Sequence, residues 1–176
     1  MTQYARPDQD VSGQLGSWVD SGSGVSNIYT NIDEAGSAVN SDYIKNEQMM
    51  AAETTCKFRL SDVDDPTSSS DHKIKYTARH EGSARNLTVT LYDGSTEIIA
   101  DINSSLTGSY VEYTVTLNGT QADNIGDYAD LFLWFTAVGT SSNEIRVSQA
   151  FFECANVVSI KPSPIATRSY LLEIFD

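Results

Sequence analysis

From about residue 56 to residue 154, apolar and polar positions alternate with the period of two expected of half-buried β-strands. In HKIKYTARH (72–80), Ile74, Tyr76 and Ala78 share one face, and Lys73, Lys75, Thr77 and Arg79 the other. NLTVTLYDGSTEIIADI (86–102) predicts a hairpin. Leu87, Val89 and Leu91 point inward, Asp93-Gly94 supplies the turn with positive φ, and Glu97 to Ile102 returns. YVEYTVTL (110–117) sets Val111, Tyr113, Val115 and Leu117 against Glu112, Thr114 and Thr116. LFLWFTAV (131–138) is apolar at both parities, which predicts a central, covered strand that buries Trp134. EIRVSQAFFEC (144–154) reads as a long last strand.

The earlier segments 16–21, 27–32 and 42–44, together with 56–60, read as short strands between Gly/Ser turns. GTQADNIGDYAD (119–130) is the one stretch without a β pattern, and Asn118 or Thr120 is placed to cap a short helix there. Eight to ten short strands with long crossing connections predict an all-β, jelly-roll β-sandwich, with sheet packed on sheet. The predicted domain spans 15–154. Residues 1–14 contain Pro7 and no strand pattern, so an extended N-terminal arm is expected. Residues 155–176 are expected to form an extended C-terminal arm, because KPSP forbids both helix and central strand. The apolar tip of that arm, Tyr170, Leu171, Leu172, Ile174 and Phe175, is the expected partner-binding element.

Charge narrows the function. The chain has 176 residues with 24 acidic and 11 basic side chains, a formal net charge of −13. Such a surface repels phosphate backbones, so no nucleic-acid partner is expected. No stretch approaches the ~20 apolar residues of a membrane span, and the polar first ten residues lack a secretory build, which predicts a cytosolic start. Cys56 and Cys154 adjoin apolar runs and read as small buried hydrophobes. His72 and His80 are expected to be solvent-facing sheet residues and not a ligand pair.

Candidate chemistry is sparse. Asp62, Asp64, Asp65 and Asp71, and separately Asp33, Glu34 and Asp42, are oxygen-rich groups of the kind that calcium takes, but neither has the spacing of a calcium loop. No nucleophile elbow, phosphate-binding glycine loop or zinc-protease motif is present. No catalytic, cofactor-binding or metal residue is therefore assigned, and an enzyme is not expected. Trp18, Tyr29, Tyr43, Tyr92, Tyr110 and Tyr128 are aromatics able to build a sugar-stacking platform, which keeps a carbohydrate-binding module as an alternative. The Asn-Xaa-Ser/Thr triplets at Asn86, Asn103 and Asn118 read as chance in a Ser/Thr-rich chain.

YARPDQDVSGQLGSW (4–18) followed by NIYTNIDEAGSAVNSDYI (27–44) is similar to the opening of a group of jelly-roll proteins of tailed bacteriophages and prophages. HKIKYTARH, LTVTLYDGSTEIIAD, SLTGSYVEYTVTL, a short helix and DLFLWFTA continue the likeness, which covers residues 4–154. It implies a virion structural protein: a capsid decoration (cement) protein, or a neck- or tail-associated component. The implied partners are a major capsid protein or other virion protein and copies of the chain itself, for instance as a trimer. The implied location is a virion assembled in the bacterial cytoplasm. The resemblance has no site motif, so it transfers no functional residue.

Overall fold

The structure, a computed structural model, describes residues 2–46, 53–82, 86–138 and 144–157. Among these, eleven strands and one short helix form a jelly-roll β-sandwich. The strands are β1 (Thr2–Ala5), β2 (Pro7–Asp10), β3 (Trp18–Asp20), β4 (Ile44–Asn46), β5 (Thr54–Leu60), β6 (Lys73–His80), β7 (Asn86–Asp93), β8 (Thr96–Asn103), β9 (Val111–Thr116), β10 (Leu131–Val138) and β11 (Ile145–Ala155). One sheet runs β3-β4-β11-β6-β9, with β1 also on β11; the other runs β2-β5-β10-β7-β8. All pairings are antiparallel.

The core lies between the sheets. Cys56, Phe58, Leu60, Leu87, Val89, Leu91, Leu133 and Phe135 fill it from one side, and Ile74, Tyr76, Ala78, Val147, Ala150 and Phe152 from the other. Trp18 is 1% exposed, tilted against Phe135 at 6.3 Å, and its indole N–H donates to the Thr54 carbonyl. It is a core residue and is unavailable to a sugar. The β7–β8 hairpin closes through Gly94 and Ser95, with Gly94 at φ +56°, where L side chains are disfavoured. The predicted helix is α1 (Gly119–Asp123). Asn118 accepts from the Gln121 backbone N–H, while the Gln121 side chain accepts from the Asn118 N–H, a reciprocal capping box.

Four expectations are corrected. Residues 1–14 are not an arm: β1 pairs with β11 and β2 with β5, which buries Ala5 and Pro7. The strand pattern was masked because two four-residue strands, split by Arg6, enter different sheets. The predicted strand at 27–32 is a single 3-10 turn, Ile28–Asn31, held by the Asp10 carboxylate accepting from the Ile28 and Tyr29 N–H groups. His72 is buried, not solvent-facing, because its parity matches that of Ile74 and Tyr76. Trp134 is not in the core and lies half-buried on the outer face of its sheet. The C-terminal tip, Tyr170, Leu171, Leu172, Ile174 and Phe175, falls outside the described residues. Among the described residues, no helix is long and apolar enough to cross a membrane.

Candidate functional site

The outer face of the five-stranded sheet carries an aromatic cluster built by strand alternation. In β10, Leu131, Leu133 and Phe135 point into the core, so Phe132 and Trp134 point out. In β5, Cys56, Phe58 and Leu60 point in, and Thr55, Lys57 and Arg59 point out. In β7 the outward set is Thr88, Thr90 and Tyr92. Register then brings these residues together: Trp134 lies opposite Lys57 on one side and Thr90 on the other, and Phe132 opposite Arg59 and Tyr92. Tyr92 and Trp134 meet at 4.6 Å between ring centroids, tilted by 35°.

The Lys57 ammonium sits over this cluster, 4.1 Å from the Phe132 ring centroid, 4.9 Å from Trp134 and 5.5 Å from Tyr92. Burial lowers its pKa from the usual lysine value, while the charge of Asp130 acts the other way. Lys57 makes no ion pair among the described residues. Its neighbour Arg59, by contrast, pairs with Asp8 at 3.3 Å and Asp62 at 2.8 Å, and donates to the Ala129 carbonyl. The Trp134 indole N–H is covered and has no hydrogen-bond partner among the described residues. Tyr92 donates its hydroxyl toward Glu97 at 3.4 Å, a weak contact, and burial raises its pKa.

A pocket of about 330 Å³ adjoins the cluster, lined by Gly13, Gln14, Gly16, Thr55, Lys57 and Trp134. Its wall is a loop hydrogen-bonded along β5: the Lys57 N–H donates to the Gln14 carbonyl at 2.9 Å, and the Val11 N–H to the Lys57 carbonyl at 3.1 Å. Gly16, at φ +52°, lets this loop approach, since a Cβ there would lie 2.6 Å from the Thr55 carbonyl oxygen. Flat rings, a polar loop and the partly exposed Thr55 form a surface that can stack a ring-shaped, hydroxyl-rich molecule and hydrogen-bond its rim.

Of the aromatics singled out from sequence, only Tyr92 belongs to this platform. Trp18 and Tyr128 are buried, and Tyr29 packs against the core. Tyr43 lies under Arg146 and Tyr110 under Arg79, both on the other sheet. Sequence reading missed Phe132, Trp134 and Lys57. Lys57 could have been found by parity, since it alternates with Cys56 and Phe58, whereas the all-apolar β10 carries no such signal for Phe132 and Trp134.

The other candidates do not converge. His72 is enclosed, with Nε2 2.7 Å from the Tyr128 hydroxyl and Nδ1 3.0 Å from the Ser70 carbonyl, and burial lowers its pKa. Asp62 is committed to Arg59, and Asp65 accepts from the Thr67 N–H. Asp42 accepts from the Asn31 side-chain amide, and burial pushes Glu34 up to about 7. No group of three or more metal-ligating side chains occurs among the described residues. Cys56 and Cys154 are free and buried.

No family model matches the chain, and no curated protein is significantly similar to it. Solved structures are similar in fold. A xylan-binding module of family CBM15 superposes over 90% of this chain and 99% of its own, with a TM-score of 0.51 and 14% identity. A family 30 carbohydrate-binding module of a Clostridium thermocellum cellulosomal cellulase covers 86% of this chain and 96% of its own, at TM-score 0.49 and 8% identity. The first of these likenesses agrees with the jelly-roll β-sandwich seen in this chain. At these identities the likeness is one of fold.

Proposed function

We propose that this chain is a carbohydrate-binding module that takes a glycan on the outer face of its five-stranded sheet. The observation that carries this reading is the half-buried Trp134–Tyr92–Phe132 cluster beside the Gly13–Gly16 pocket. Three half-buried aromatics on one sheet face, with the Lys57 ammonium against their rings and the Gly13–Gly16 loop beside Trp134, form a surface suited to recognition. Stacking on ring faces tolerates many sugars, while the polar side chains Thr55 and Gln14 that line the pocket supply directional contacts. The sandwich shared with a xylan-binding module supports the reading at the level of scaffold.

The test is a Trp134→Ala variant measured by glycan array and calorimetry. Loss of one stacking ring is expected to weaken binding at least tenfold, about 1.4 kcal/mol, with a cooperative melting transition retained. Unaltered glycan binding by Trp134→Ala would sink the assignment of the face.

The virion reading is a second proposal, resting on the residue pattern over 4–154, and it is compatible with a glycan-binding face on a particle. Co-purification with a major capsid or tail protein tests it.

A further inference from the structure

We propose that Lys57 makes this face selective for glycans bearing an isolated carboxylate, a uronic acid on an otherwise neutral chain. The inference rests on the glycan-binding reading and deepens it.

The cluster is short of acceptors. Lys57 Nζ has three aromatic faces around it and no ion-pair partner among the described residues, and Trp134 Nε1 also lacks an acceptor. An ammonium against rings is partly stripped of water, and the ring quadrupoles replace only part of its hydration. A carboxylate would supply the Lys57 ammonium with both countercharge and acceptor oxygens, and a charge-assisted hydrogen bond is the stronger kind. Space for it exists, because Lys57 and Trp134 both line the pocket against the Gly13–Gly16 loop. Arg59, one step along the same outward row, is already neutralised by Asp8 and Asp62 and does not compete for the anion.

The surroundings limit how much negative charge is tolerated. Asp8, Asp62, Glu97 and Asp130 lie around the cluster, and the chain carries −13 overall. With a screening length of about 8 Å at physiological ionic strength, a single carboxylate on Lys57 feels mainly Lys57, whereas a polyuronate meets the acidic rim. Selectivity is therefore for sparse substitution.

The full chain is measured by calorimetry against a panel of neutral polysaccharides, the same backbones carrying single glucuronic acid branches, and polygalacturonate. The branched acidic ligand is expected to bind about tenfold tighter than its neutral parent, as one charge-assisted contact would give. Polygalacturonate is expected to bind more weakly than the branched ligand. Lys57→Met brings the acidic-to-neutral ratio to about one, while Lys57→Arg keeps a preference. If neutral and branched ligands bind equally, or Lys57→Met leaves the ratio unchanged, the selectivity is wrong and the glycan-binding reading stands. If no glycan in the panel binds, both are wrong.

Discussion

His72 is kept neutral by its surroundings, since an imidazolium would lose hydration inside the sandwich and its ring nitrogens already meet Tyr128 and Ser70. Its folded pKa lies below the unfolded value of 6.5, so below pH 6.5 the unfolded chain takes the proton first. The stability that the neutral ring contributes is present above that pH and is lost as pH falls toward the folded value. Glu34 works in the opposite direction. Its pKa is raised from 4.5 to about 7, chiefly by burial, so stability declines as pH rises from 4.5 through 7. Melting curves against pH should separate the two. His72→Gln flattens the acid limb below 6.5, and Glu34→Gln raises the melting temperature at pH 8 more than at pH 4.5. Trp18 marks the contrast with Trp134 at the same scale. Trp18→Ala removes a core ring and is expected to cost roughly 3–5 kcal/mol in urea unfolding. A Trp18→Ala protein that unfolds like the wild type would contradict its place in the core.

Strand alternation explains both what was readable and what was not. In β6 and β7 the buried apolar set, Ile74, Tyr76 and Ala78 with Leu87, Val89 and Leu91, is the one that period two predicts, although Thr77 and Thr90 of the opposite parity are also covered. Asn118 was one of two caps the sequence offered, with Thr120, and it is the one formed, so Asn118→Ala should destabilise by about 1 kcal/mol in thermal unfolding. In β10 composition misled, because an all-apolar strand gives no contrast between faces, and its outward Phe132 and Trp134 looked like core. In β11 a bulge between Val147 and Gln149 switches parity. Ala150, Phe152 and Cys154 therefore turn inward, and Phe151 turns out beneath Tyr4 and Lys75. The N-terminal strands were hidden by their brevity. Their hydrogen bonds to β11 and β5 predict that deleting residues 1–10 costs roughly 3 kcal/mol and lowers the melting temperature by about 10 °C, read by calorimetry.

At the scale of the molecule, the sandwich is a rigid support with aromatics on one face and ionic networks on the other. Arg79 and Arg146 share Glu81, and Arg146 also takes Glu144 at 2.8 Å, so the six-stranded sheet presents Arg–Tyr stacks tied down by carboxylates. The charges of these groups are already paired, whereas the Lys57 ammonium on the five-stranded face has no ion-pair partner among the described residues. A chain ending at Val157 keeps every described strand and is expected to fold and bind glycan as the full chain does. Under the virion reading, the same truncation loses attachment to particles, and sedimentation with assembled particles checks that.

The sequence by itself determined the all-β class, the hairpin, the short helix and the acidic surface, because each depends on local periodicity, turn chemistry or composition. Tertiary structure alone decided that Phe132, Trp134, Tyr92 and Lys57 share one face. They come from three strands far apart in the chain, and only the β5–β10–β7 register places them side by side. Tertiary structure also decided which tryptophan is core and which is surface, since that depends on which side of β10 the second sheet covers.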